Sequence, residues 1–214
     1  MDEHQVVWNE KVAEKIIKNL EKRRMAGSYT DSAAKAKDEI LEMIPQGATV
    51  FRCGSMTAGG LGLWEAIAAI PGVNLIDPYQ PELSREEGLE LRRQGLTADV
   101  MVASTNAITL DGRLVNLDGM GNRVAAMAFG PKKVILVVGM NKVAPDLESA
   151  IARVKHYAAP INNIRYGLKN PCVETGLCSD CRTPQRICNM WSTIEGHMIE
   201  NRIHVKLVGE FLGY

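Results

Sequence analysis

"ADVMVASTNAITLDGRLVNLDGMGNRVAAMAFGPKKVILVVG", residues 98–139, alternates apolar runs with polar, glycine-rich turns. Its last run, "KKVILVVG", is the most apolar of the chain, as expected for a strand buried on both faces of a parallel sheet. "ADVMVASTNAIT" reads as another strand. Asp111-Gly112, between "AITL" and "RLVNL", is a hairpin signal. "GMGNRVAAMAFG" then turns into a helix. This alternation predicts an α/β fold, an open and mostly parallel sheet covered by helices.

The same texture extends outward in both directions. Upstream, "ATVFRCG" is a short strand, "GSMTAGGLGLWEAIAAIPG" a glycine-rich turn entering a helix, "VNLIDPY" a strand and "SREEGLELRRQGLT" a polar helix. Downstream, "APDLESAIARVKHYAAP" reads as a helix with Asp146 and Glu148 in its first turn. After Pro160 the pattern weakens into loop and cysteines, and "RIHVKLVGEFLGY" adds a last strand to the main sheet. At the N-terminus, Val7, Val12, Ile16, Ile17 and Leu20 fall at helical spacing until Gly27. A second helix is expected within "SYTDSAAKAKDEILEMIP", capped near Thr30 or Asp31 and ended by Pro45. The expected division is an N-terminal helical extension, residues 1–46, packed on an α/β domain, residues 47–214, that includes a cysteine-rich segment, 171–189.

The 25 basic residues balance 25 acidic ones, so no global field draws the chain to nucleic acid or to a membrane surface. No apolar run is long enough to span a bilayer, and the first residues lack a signal peptide's apolar core. A cytoplasmic location is therefore expected, and in that reducing setting clustered cysteines point to metal or redox chemistry before disulfides. The long first helix, with Leu61, Leu63 and Trp64, is a candidate surface for a homo-oligomer.

Ligands of open α/β sheets bind beyond the carboxyl ends of the strands, where two glycine-rich turns are expected. The first contains Gly54, Ser55 and Thr57, ahead of Gly59 and Gly60; backbone N–H groups there suit a phosphate or carboxylate. The second brings Asn106, Thr109, Asp111, Asn116, Asp118, Asn122 and Arg123 together with Gly112, Gly119 and Gly121. Arg123 is positioned to clamp a small anion. Such turns also merely reverse chains, and neither matches a nucleotide fingerprint. His4, His156, His197, His204 and Glu65 read as surface residues, and Cys53 as a packed thiol.

"PCVETGLCSDCRTPQRIC" holds Cys172, Cys178, Cys181 and Cys188 in the spacing C-x5-C-x2-C-x6-C. The C-x2-C pair can aim two thiolates at one centre, and the flanking cysteines complete a set of four. An iron–sulfur cluster, with [4Fe–4S] favoured, and a zinc ion both fit this donor list. Lys169, Arg182 and Arg186 supply positive charge nearby.

The block from Ala98 to Pro160, with the cysteine segment after it, resembles the lactate-utilisation (LUD) domain family, in its single-domain branch with a cysteine-rich tail. The resemblance implies a Rossmann-like sheet similar to the ribose-phosphate isomerase and CoA-transferase group. It also implies an iron–sulfur component of bacterial lactate (2-hydroxy acid) utilisation, working with an electron-transfer partner subunit. By that resemblance Asn106, Asp111, Asp118, Asn122 and Arg123, with Gly54, Ser55 and Thr57, bind a small anionic ligand. The alternative is a non-redox α/β protein, ligand-binding or CoA-transferase-like, with a zinc-bound or metal-free tail. The chain lacks long ferredoxin-like regions and any flavin or nicotinamide fingerprint.

Overall fold

A computed structural model describes residues 2–214. Its centre is a six-stranded, all-parallel sheet in the order β1-β10-β7-β4-β2-β3, an arrangement consistent with a Rossmann-like fold. The N-terminal part comprises α1 (Glu3–Lys22), β1 (Ala26–Thr30), α2 (Ala33–Glu42), β2 (Thr49–Arg52), α3 (Met56–Gly60), α4 (Leu63–Ala68), β3 (Asn74–Ile76) and α5 (Arg85–Gln94). There follow β4 (Val100–Ala103), β5 (Ala107–Thr109), β6 (Leu114–Asp118), α6 (Asn122–Ala128), β7 (Lys133–Gly139) and β8 (Val143–Ala144). The C-terminal part holds α7 (Leu147–Arg153), α8 (Ala159–Arg165), α9 (Pro171–Thr175), β9 (Met190–Ile194) and β10 (Ile203–Val208). A second, four-stranded sheet, β8-β5-β6-β9, branches from the carboxyl end of the first.

β7 explains why its sequence is apolar throughout. Val134, Leu136 and Val138 enter the core beneath α1, whereas Ile135 and Val137 enter the core on the other face with α2 and α4. A strand read by two cores has no polar side to show. The Asp111-Gly112 hairpin forms as expected: β5 and β6 pair antiparallel around it, and Gly112 takes φ +86°, a left-handed conformation that favours glycine.

Five readings change. "SYT" is the end of an edge strand, not the start of a helix: β1 pairs along its whole length with β10, and Ser32 caps α2 through its Oγ, which accepts from the Lys35 N–H at 3.4 Å. Tyr and Thr suit an edge strand, and serine at an N-cap satisfies an otherwise orphaned donor. The first 46 residues thus give the central sheet a strand as well as packing helices. "ADVMVASTNAIT" breaks at Ser104–Asn106 into β4 and β5, which belong to different sheets.

The helix expected to end at Pro160 instead runs to Arg165. A wider π-turn, Val154–Ala158, precedes α8 and places Pro160 in its first turn, where a missing N–H costs least. Lastly, residues 190–194, after the cysteines, form β9 against β6. His204, read as a surface residue, lies half-buried within β10, its Nε2 2.8 Å from Ser28 Oγ on β1.

Candidate functional site

Parallel strands point one way, so the connections leaving β2, β3, β4 and β7 gather at one edge. Beneath that edge, with α8 and the C-terminal residues, lies an open cleft of about 840 Å³. The turn after β2 supplies one wall. Ser55 caps α3, its Oγ accepting from the Ala58 N–H at 3.1 Å. Gly54 is required by packing: a Cβ there would lie 2.5 Å from the Tyr79 hydroxyl. Thr57 is buried and its Oγ1 accepts from Lys142 Nζ at 2.7 Å. Gly59 and Gly60 do not line the cleft, and Glu65 belongs to α4 outside it.

The second polar loop divides in two. Asn106, Asp118, Gly119, Asn122 and Arg123 line the cleft. Gly121 sits just behind them at φ +82° as the N-cap of α6. Thr109, Asp111 and Gly112 lie at the hairpin tip, against the end of α1, where Asp111 pairs with Arg23 at 3.0 Å and Arg113 at 2.8 Å. Burial pushes the Asp111 carboxyl up, but the Thr109 hydroxyl and the two guanidiniums outweigh it and hold the carboxyl below its usual range. These three residues fasten the hairpin to the first helix.

Arg123 is already engaged. Its Nε and Nη2 donate to Asp118 Oδ1 at 3.0 and 2.6 Å. Nη1 donates to Asn116 Oδ1 at 2.6 Å and Ser104 O at 2.9 Å; Nη2 also reaches Asn106 Oδ1 at 2.7 Å. Asp118 in turn accepts from the Val124 N–H at 3.0 Å. Every guanidinium nitrogen has a protein acceptor, so Arg123 shapes the loop before it meets any ligand.

Lys142 went unnoticed in the sequence. It ends a 3₁₀ turn after β7, is 3% exposed, and its Nζ donates to Thr57 Oγ1, to Ser104 Oγ at 3.0 Å and to Thr105 O at 3.4 Å. Burial, with the Arg153 and Arg123 guanidiniums nearby, lowers its ammonium from the ordinary lysine range to about 7. The readable signal was its position, one turn beyond the carboxyl end of the most apolar strand. The rim adds Arg85, Arg92 and Arg165, also missed. Arg92 stacks on Tyr79 at 4.9 Å, Arg52 stacks on the same ring at 5.4 Å, and Arg165 covers Tyr166 at 4.0 Å. The buried Arg92 Nε has no hydrogen-bond partner. Asp118 is the one acidic side chain lining the cleft among the described residues. Since Arg123 neutralises it, the cleft is cationic.

The four cysteines of the tail converge although they span seventeen residues. Cys172 on α9, Cys178, Cys181 and Cys188 line one chamber of about 170 Å³, and all are free thiols. Asn170, whose Nδ2 donates to Asn163 Oδ1 at 2.6 Å and Gln185 O at 3.0 Å, pins the segment to α8. Arg186 donates to the carbonyls of Cys188 and Cys181, folding the tail around its own guanidinium. Lys155 reaches in from the π-turn and pairs with Asp180 at 2.6 Å. Burial raises the Cys172 and Cys188 thiols, and neighbouring cysteines push the same way.

Among the described residues, no group of three or more His, Cys, Asp or Glu side chains is arranged to hold a metal ion. No histidine lines the chamber. Cys53 is fully buried in the sheet core, its thiol pushed far up by burial. Leu117 and Ile187 line both the chamber and the cleft, and so form a shared wall.

Comparison with known proteins follows the architecture. A model of the LUD domain matches residues 13–208. The crystal structure of a DUF162 family protein from Deinococcus radiodurans superposes with a TM-score of 0.52 at 16% identity, covering 94% of this chain and 98% of that one. At that identity the likeness speaks for the fold alone. No curated protein matches. No helix among the described residues is long and apolar enough to cross a membrane.

Proposed function

Because the chain belongs to the LUD domain family, we propose that it is an iron–sulfur-bearing component of 2-hydroxy-acid utilisation that binds a small carboxylate in the cationic cleft. The observation that carries this reading is the shared wall. One layer of apolar side chains, Leu117 and Ile187, stands between a cationic ligand cleft and a chamber ringed by four thiols. The family's association with lactate utilisation directs the substrate class to 2-hydroxy acids and their 2-oxo products.

The donor set, four thiols lining one chamber, suits a cluster and a zinc ion alike. Cys172, Cys178, Cys181 and Cys188 would hold the cluster, with Lys155 and Arg186 offsetting the charge of the thiolates. Bound there, a cluster supplies one-electron transfer. The chain's own part is to hold the carboxylate with the rim guanidiniums, and to keep water out of the wall between the two sites. The electron acceptor is then a partner protein.

A second reading is favoured by size. The cleft is large for a three-carbon acid, and Arg85, Arg92 and Arg165 on its rim suit a phosphorylated ligand of a non-redox, transferase-like protein.

Anaerobic purification followed by iron, sulfide, zinc and visible-absorbance measurements separates these readings. Iron with acid-labile sulfide, lost in the Cys178→Ser and Cys181→Ser variants, is the expected result. Zinc without sulfide, or a metal-free protein that supports lactate oxidation undiminished, overturns it.

A further inference from the structure

We propose that Lys142 is a nucleophilic amine that condenses with an anionic carbonyl compound bound in the cleft, a 2-oxo acid being the smallest member of that class. The proposal rests on the cationic cleft being an anion site and adds the covalent step.

Two buried lysines make the contrast. Lys206, 4% exposed, meets the carboxylate of Glu39. Lys142, 3% exposed, meets only neutral oxygens: two hydroxyls and a carbonyl. Asp118, which lines the same cleft, is committed to Arg123, and the charged groups that bear on Lys142, Arg153 and Arg123, are both cations. A buried ammonium without a counter-charge is costly and tends to give up its proton. An amine that must present a lone pair needs such a setting.

Geometry supplies the rest. Lys142 lines the cleft at its floor, while Arg85, Arg92 and Arg165 stand on the rim to hold the substrate's anionic group. Thr57 and Ser104, hydrogen-bonded to Nζ, are placed to relay protons. In the step itself the Nζ lone pair attacks the carbonyl carbon and a carbon–nitrogen double bond forms. The carbonyl oxygen leaves as water with the two amine protons, so no oxidant or reductant enters the balance. Burial and the two neighbouring guanidiniums lower its pKa toward 7, so Lys142 presents far more neutral amine at neutral pH than the roughly one in a thousand or less of an ordinary lysine.

The test is reductive trapping. The full-length protein is incubated separately with pyruvate and with dihydroxyacetone phosphate at pH 7 in the presence of cyanoborohydride, then digested and mapped by mass spectrometry. The expected result is a reduced adduct at Lys142, exceeding that at exposed lysines such as Lys18 by on the order of a hundredfold; which probe labels faster assigns the anion as carboxylate or phosphate. Lys142→Arg keeps the charge and should lose the adduct. No adduct, or one spread evenly over exposed lysines, overturns the proposal, and mapping the unmutated protein decides this even if the variant misfolds. Lactate, which has no carbonyl to condense, is titrated in parallel by calorimetry. Binding without an adduct overturns only the amine's role; neither binding nor adduct overturns the cleft as an anion site too.

Discussion

Arg123 shows how a side chain can hold the right address and a different occupation. The sequence marks it as an arginine in a glycine-rich loop at a strand's carboxyl end, and it does line the cleft. Its donors, however, are spent on Asp118, Asn116, Asn106 and the Ser104 carbonyl. The pair with Asp118 is almost closed to water, the two side chains being 11% and 8% exposed. Arg123→Ala would leave that carboxylate buried and unpaired, at a cost of about 3–5 kcal/mol. Urea denaturation should report that loss directly, and Arg123→Lys should recover only part of it, because an ammonium cannot reproduce the fork. A variant with unchanged stability would return Arg123 to the role of a free anion clamp. Lys142 is the opposite case: nothing in "GMNKV" announces a buried amine, since its lack of a carboxylate partner is a property of the folded neighbourhood.

At the scale of elements, the turn between β2 and α3 is legible because its constraint is local. Gly54 leaves the strand where no side chain fits, and Ser55 caps the short helix that follows. Gly54→Ala would press a methyl group into the Tyr79 hydroxyl, and that ring has little freedom between Arg52 and Arg92. Overpacking of this kind costs about 1–3 kcal/mol, and displacing Tyr79 also moves the cleft rim. A lower urea midpoint together with weaker binding of pyruvate or lactate is expected; full retention of both would mean the rim yields freely. Other elements were hidden because their cause is distant. "SYT" becomes β1 through β10, nearly 180 residues away, and β9 exists because β6 offers it an edge. Pro160 reads as a helix stop, yet the π-turn ahead of it lets the helix pass into α8.

Across the whole molecule, the α/β character was legible because period and apolarity belong to single segments. Sheet order was not, since it depends on which segments find one another. The last strand, β10, slots between β1 and β7, so the two ends of the chain are stitched into one sheet. This gives α1 a different weight from that of an appended helix. Ala13, Ile16 and Leu20 are fully buried in the core shared with β7 and β10, Asn9 Nδ2 donates to Gly209 O, and Arg23 binds Asp111 and Glu195. Ile16 and Leu20 alone represent roughly 2 kcal/mol each of burial, and their removal would also uncover one face of the sheet. The combined loss approaches the whole stability of an ordinary domain, about 5–15 kcal/mol. Deleting residues 1–24 should therefore yield aggregated or unfolded protein, without the cooperative thermal transition of the full chain. A soluble, cooperatively folding product on size exclusion and circular dichroism would show instead that the sheet closes without its first helix, and that α1 is free to serve as a contact surface between copies.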